Sequence, residues 1–259
     1  MDNKLGRNWI LLRGLARESQ HWRDFVPLLQ AAFPHAQVTA LDLPGTGCCH
    51  QAHTPCTVKA ITDNIRARAL EQGLLRQPAT FLAVSLGGMV AWEWLKRYPD
   101  DSCGAVLMNT SFAGLSPFYQ RMRWQSYCKF LALAVQRDLR RRELAIVQLV
   151  GNRKDQYETV ADEWQAIQAE RPISFQNSLR QVIAAASYRP DDTKPGQPVL
   201  LLNGKGDRLV APACSEAISE KWALELRSHP WAGHDISLDD GEWVITQVKQ
   251  WLAGCDTQV

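Results

Sequence analysis

Phe81-Leu82-Ala83-Val84-Ser85-Leu86-Gly87-Gly88-Met89 is the stretch on which the fold turns. It sets a serine between a continuously apolar run of strand length, Ala79–Val84, and a run of helical character, Leu86–Tyr98, that stops at Pro99. A helix ends before such a proline. A serine at that junction sits on a sharp strand-to-helix turn and needs a strained backbone. Small residues two before and two after it let strand and helix approach, and Ala83 and Gly87 hold those positions. The common form of the motif is G-x-S-x-G; here it is A-x-S-x-G. The serine lies at a helix N-terminus whose free N–H groups point outward, a place suited to stabilising an oxyanion. The plainer reading is a serine that caps an ordinary helix.

The surrounding chain decides between these readings. Short apolar runs recur at Trp9–Leu12, Val38–Leu41, Ala79–Val84, Ala105–Met108, Val199–Leu202 and Ala223–Leu226. Most are continuous rather than alternating, as in strands of a parallel sheet covered on both faces. Helical patterning at Trp22–Phe33, Val58–Leu70 and Leu86–Tyr98 separates the early runs. The alternation predicts right-handed βαβ crossovers and an α/β, doubly wound, mainly parallel sheet. It breaks after Asn109. Phe118–Arg142, Glu143–Leu149, Thr159–Gln168 and Ser174–Ser187 all read as helix. The last is expected to return to the core. The predicted division is therefore a core of residues 1–111 and 173–259 with a helical cap inserted at 112–172. Asp191–Pro198 reads as a polar turn, and Glu242–Leu252 as a closing amphipathic helix.

A serine hydroxyl needs a general base, and the base needs an acid to fix its tautomer. After Val199–Leu202 comes Asn203-Gly204-Lys205-Gly206-Asp207, and after Ala223–Leu226 comes His229-Pro230-Trp231-Ala232-Gly233-His234-Asp235. Asp207 and His234 thus fall on loops at carboxyl ends of strands, where open α/β sheets gather their chemistry. The order of nucleophile, acid and histidine is the one such sites use. Among the six histidines, His21, His35, His50 and His53 precede the serine. His229 is the alternative base and reads as structural; Asp191 and Asp235 are the alternative acids. Asp235 adjoins the base and is expected to face solvent. A second oxyanion donor is expected from the loop after the first strand, Leu12-Arg13-Gly14-Leu15-Ala16. The Leu15 N–H would join that of Leu86.

RGL near the start, DLPGTG at Asp42–Gly47, AVSLGGM around Ser85, GKGDRLV around Asp207 and AGHD around His234 together resemble the α/β-hydrolase family over nearly the whole chain. The resemblance implies esterases, lipases, lactonases, acyl-transfer enzymes and carbon–carbon bond hydrolases as candidates, because the fold hosts many reactions. It implies no cofactor. With only eight residues before the first strand run, it also implies that the first two strands of larger members are absent, leaving about six. Aspartate-dependent dehalogenases and epoxide hydrolases are disfavoured by Ser85. Menaquinone-pathway lyases are disfavoured by Met89, where they carry arginine. Arg13-Gly14 stands where many relatives have histidine-glycine. Arg13 reads either as a structural ion pair, with Asp42 as candidate partner, or as a contact to a substrate carboxylate.

Composition narrows the partners. A formal charge of +2 gives no electrostatic case for nucleic acid or an anionic membrane. The longest apolar run, Phe81–Leu95, contains Ser85, Gly87, Gly88 and Glu93 and makes a poor membrane span. Met1–Arg7 has no apolar signal core, and the seven cysteines are an odd number, so reduced thiols in a cytoplasm are expected. Cys48-Cys49-His50-Gln51-Ala52-His53-Thr54-Pro55-Cys56 groups potential zinc ligands, but from one loop without a second knuckle. It reads as a loop near the site, and no metal is assigned. Arg137–Glu143 reads as a solvated helix face, with attraction of anionic substrates as the sharper alternative. Phe112, Phe118, Tyr119 and Trp124 are candidate walls of an apolar acyl pocket. The predicted activity is a carboxylesterase- or lipase-like serine hydrolase acting on a small or medium apolar acyl substrate. The competing readings are a carbon–carbon hydrolase or lyase using the same triad, and a ligand-binding protein of this fold with little turnover.

Overall fold

The computed structural model describes residues 5–256. Six strands form one sheet: β1 (Asn8–Leu12), β2 (Gln37–Leu41), β3 (Ala79–Val84), β4 (Ser102–Met108), β5 (Val199–Gly204) and β6 (Glu225–His229). Their order is β2-β1-β3-β4-β5-β6, and every neighbouring pair is parallel. Around the sheet lie α1 (Phe25–Ala32), α2 (Val58–Glu71) and α3 (Leu86–Arg97). Between β4 and β5 come α4 (Phe118–Arg121), α5 (Tyr127–Val135), α6 (Leu139–Val150), α7 (Tyr157–Glu170) and α8 (Phe175–Ser187). The chain ends through α9 (Ala213–Trp222), α10 (Ile236–Asp239) and α11 (Gly241–Asp256). The chain order reverses at β1/β3, so β1, β3 and β4 stand at the centre.

Strand side chains alternate between faces, and two cores follow. Ile10, Leu12, Phe81, Ala83, Ala105, Leu107, Val199 and Leu201 meet α2, α3, α8 and α9 on one face. Trp9, Leu11, Leu82, Val84, Val106, Met108, Leu200 and Leu202 meet α1 and α11 on the other. Burial on both sides is why the central strands are continuously apolar. A third, small core of Val147, Val160, Ala161, Trp164 and Ile167 joins α6 to α7 within the insertion.

Two expectations shift. The sixth strand lies at Glu225–His229 rather than Ala223–Leu226. Ala223 instead ends α9 in the left-handed region at φ 49°, and Leu224 packs into the core. As an edge strand, β6 carries exposed Glu225 and Ser228, so the apolar run preceding it marked a helix end. The single helix expected over Phe118–Arg142 is broken twice. Met122 and Gln136 have extended backbones, and the Asp138 side chain caps a new helix by accepting from the Arg141 N–H at 2.9 Å.

The closest approach of helix to sheet is at Gly87. A Cβ there would lie 2.6 Å from the Arg13 carbonyl oxygen and closer still to that of Leu12. These are backbone atoms that cannot swing aside. Gly87→Ala should cost about 1–3 kcal/mol, measured as a lowered urea midpoint with an unchanged m-value.

Candidate active site

Ser85 follows β3 and precedes α3, with φ 55° and ψ −116°. A non-glycine residue there is strained and must be held. The clamp is local. The Ser85 N–H donates to the Met108 carbonyl at 2.9 Å, and the Ser85 carbonyl accepts from Thr110 Oγ1 at 2.9 Å and the Met89 N–H at 3.2 Å. With its backbone fixed by the neighbouring strand end, the side chain is left partly accessible. Leu86 is the first residue of α3, so its N–H has no acceptor within the helix. Gly14 packs against the serine: a Cβ on it would lie 3.2 Å from Ser85 Cβ. The Gly14-Leu15 turn therefore flanks Ser85.

On the other flank, His234 Nδ1 and Asp207 Oδ2 are 2.7 Å apart, both buried. The second carboxylate oxygen of Asp207 accepts from the N–H groups of Leu209 (2.7 Å) and Val210 (2.9 Å). This fixes the carboxylate plane and the face it turns to the imidazole. With Nδ1 donating to Asp207, Nε2 is the nitrogen left to accept a proton. Burial alone would depress the His234 pKa, but the Asp207 carboxylate outweighs it and the net displacement is upward from 6.5.

One residue of this site escaped the sequence reading. Asn109, just past β4 at φ 47°, donates through Nδ2 to the carbonyls of His234 (2.8 Å) and Gly233 (3.1 Å), and its Oδ1 accepts from the Gly204 N–H at 3.0 Å. Because Ser85 is bonded to Met108, adjacent residues tie the serine turn and the histidine loop to one strand end. The available signal was an asparagine, one of the few residues that tolerates left-handed backbone, where the strand pattern stops.

Arg13 does not pair with Asp42. It forms a buried ion pair with Asp235, and its guanidinium lies 4.6 Å from the centroid of the Trp22 ring. Asp42 instead accepts from the N–H groups of Ser19 (2.6 Å) and Cys48 (2.8 Å), holding the turn after β2. Asp235 does not face solvent; it is 2% exposed, because Arg13 compensates its charge and Ser237 Oγ donates to it at 2.7 Å. His229 is buried with Nε2 3.2 Å from Asp240 and Nδ1 accepting from the Ala232 N–H, a turn-forming role. Asp191 is on the surface with Lys96, whose hydrogen bond holds its carboxyl down at about 2.

Phe112 is fully buried against Trp92, Tyr188 and Trp222, which places it in the core rather than on a pocket wall. Phe118, Tyr119 and Trp124 are exposed on α4 and the turn after it. Arg140 of the basic run is tied to Glu158 (2.7 Å) and Asp162 (2.6 Å). Among the described residues, no three His, Cys, Asp or Glu side chains converge on a metal position, and no helix is long and apolar enough to cross a membrane. The thiols of Cys48 and Cys49 are 3.7 Å apart, within thiol hydrogen-bond reach, and form no disulfide.

The family profile described as alpha/beta hydrolase fold matches residues 10–241. A pimeloyl-[acyl-carrier protein] methyl ester esterase of Edwardsiella ictaluri (strain 93-146) is 31% identical over 105 residues, spanning 40% of this chain and 37% of that relative. The protein of the same description from Xanthomonas axonopodis pv. citri (strain 306) is 26% identical over 255 residues, 94% of each chain. The enol-lactonase of Burkholderia xenovorans LB400 superposes with a TM-score of 0.75 at 18% identity, covering 95% of this chain and 91% of that one. At that identity the likeness is one of fold.

Replacing Asn109 with alanine removes three buried hydrogen bonds and leaves the Gly204 N–H without its acceptor. The Asn109→Ala variant should lose about 1–3 kcal/mol, read by denaturant unfolding. Its amide exchange should rise first in the 204–207 and 233–235 loops.

Proposed function

The chain belongs to the α/β-hydrolase family, and on that premise we propose that it is a serine esterase. Ser85 is the nucleophile, His234 the base and Asp207 the acid that orients it. The observation that carries this reading is the held, strained Ser85 on the same sheet edge as the 2.7 Å His234–Asp207 pair.

The steps follow from the positions. His234 Nε2 takes the proton as Ser85 Oγ attacks the ester carbonyl. Charge develops on the carbonyl oxygen beside the Leu15 and Leu86 N–H groups, the oxyanion donors of this reading. The imidazolium so formed is stabilised by Asp207. His234 then protonates the departing alcohol, and a water activated by the same nitrogen releases the acid. Every proton moves between Ser85, His234, substrate and water.

The substrate in this reading is an ester of an apolar acyl group with a small alcohol. The inserted helices between β4 and α8 act as its cap, with Phe118, Tyr119 and Trp124 as apolar contacts at its rim. Support comes from the exposure of these rings, 73% for Phe118 and 66% for Trp124, which leaves large apolar faces open to solvent. The methyl ester esterases similar to this chain support the small alcohol. Arg137 and Arg141 remain outward, but the tying of Arg140 to acidic neighbours weakens the case for the run as an anion attractor.

A fluorophosphonate probe should label the folded protein, with labelling lost in Ser85→Ala and kcat falling by about 10⁶. Hydrolysis should favour methyl and p-nitrophenyl esters of medium acyl chains over vinylogous diketones. Absence of labelling in folded wild-type protein overturns the reading.

The pH dependence has a definite sign. Only neutral His234 accepts the proton, and its pKa is displaced upward. Activity should therefore rise with pH through an apparent pKa above 6.5 in kcat/KM. An acid limb below 6.5 would contradict the assignment of His234 as the base.

A further inference from the structure

Arg13 and Asp235 are separated by 222 residues and meet in the interior, 3% and 2% exposed. Arg13 is the residue before Gly14-Leu15, the turn that packs on Ser85. Asp235 is the residue after His234. The ion pair therefore ties together the two loops that flank the serine. It carries little else. The Nε and Nη1 groups of Arg13 have no hydrogen-bond partner among the described residues, so two of the three nitrogens of a buried guanidinium are left unsatisfied. A pair of this kind is a poor source of stability compared with apolar side chains of similar volume. Its placement, rather than its strength, calls for an account.

Resting on the serine esterase reading, we propose that the Arg13–Asp235 pair is a positioning device for the catalytic base, which holds the histidine loop against the oxyanion turn and cancels a carboxylate charge beside His234. The charged groups around His234 come from each element packed on it. Asp207 arrives from the loop after β5, and Arg123 of the insertion grips the Asp207 carbonyl at 2.6 Å. Arg13 arrives from the loop after β1, and Asp235 lies on the histidine's own loop. Asp239 of α10 accepts from the adjoining Gly233 N–H at 2.7 Å. With Arg13 paired to Asp235, their charges offset one another, and His234 responds mainly to Asp207. The remaining contacts of Asp235 are directional: its backbone N–H donates to Val150 at 2.9 Å and its carboxylate accepts from Ser237 and Leu238. Arg13 thus adds a tie to the β1 turn for a loop that Asn109, Val150 and α10 hold from other sides. This arrangement also accounts for arginine in the first-strand turn without asking it to reach the substrate.

The test is the pH profile of kcat/KM on a neutral p-nitrophenyl ester for Arg13→Met, Asp235→Asn, the double variant and Arg13→Lys. Arg13→Met leaves an uncompensated carboxylate beside the base, so its acid limb should move up by about 1 pH unit. Asp235→Asn leaves an uncompensated guanidinium, so its limb should move down by about the same amount. Arg13→Lys should stay close to wild type. The double variant should restore the wild-type limb while kcat falls about 10-fold or more at unchanged KM, from looser positioning. A merely structural pair would not shift the two single variants in opposite directions. Limbs that stay put or move the same way overturn the proposal. Where a single variant fails to fold, the double variant decides: wild-type kcat overturns the proposal, and the selective loss of kcat with the limb restored supports it. Fluorophosphonate labelling of wild type runs alongside, because its failure would remove the esterase reading itself rather than the role of the pair.

Discussion

The contact between the first turn of α3 and the carbonyl oxygens of Leu12 and Arg13 is the constraint on which the site depends. No side-chain atom fits between Gly87 and that backbone. The helix therefore starts as close to the central strand as backbone sterics allow. Ser85 is pulled into φ 55° by this approach and held there by Met108 and Thr110. Strain of this sort costs roughly 1–3 kcal/mol, which a core spanning both faces of six strands absorbs. The same approach brings the Gly14 turn against Ser85. One packing decision at the sheet centre fixes both Ser85 and the Gly14 turn beside it.

The insertion is fastened differently. Its own core is small, and several of its links to the sheet edge are polar: Arg17 with Glu143, Glu18 with Arg171, and Arg123 with the Asp207 carbonyl. Buried pairs of this sort fix register more than they add stability. Burial pushes Glu18 up to about 7, with Arg171 pulling the other way. These links converge on the loops that carry Asp207 and the β1 turn. Movement of the insertion would therefore be felt first at the acid loop, through the backbone bonds of Arg123 with Leu209 and of Ala211 with Gln120.

The parts of this architecture that are local in sequence were legible. Buried parallel strands announce themselves as apolar runs, and Asp207 follows one of them, β5, closely enough to be placed just past its carboxyl end. What escaped was non-local or belonged to an edge. β6 is a polar edge strand with Glu225 and Ser228 exposed, so the apolar signal sat on the preceding helix end. Asn109 acts across 124 and 125 residues, and Arg13 across 222. No spacing rule links such positions, because their encounter is set by strand order rather than by chain distance. Phe112 was drawn into the pocket by its neighbours' aromaticity, while its position just beyond a central strand end sends it into the core among Trp92, Tyr188 and Trp222.

Charge near the base explains why two acids on adjoining loops end with opposite roles. Asp207 and Asp235 are both buried and both act electrostatically on His234. Asp207 is satisfied by backbone N–H groups and keeps its full interaction with Nδ1. Asp235 is paired with Arg13, which holds its carboxyl below the usual carboxylate range against the opposing effect of burial. The guanidinium is thereby paired inside the protein. The exposed apolar side chains of the proposed cap include the rings of Phe118, Tyr119 and Trp124 together with Leu131 and Val135. A substrate recognised there would gain affinity from apolar area removed from water, at about 25 cal/mol per Å².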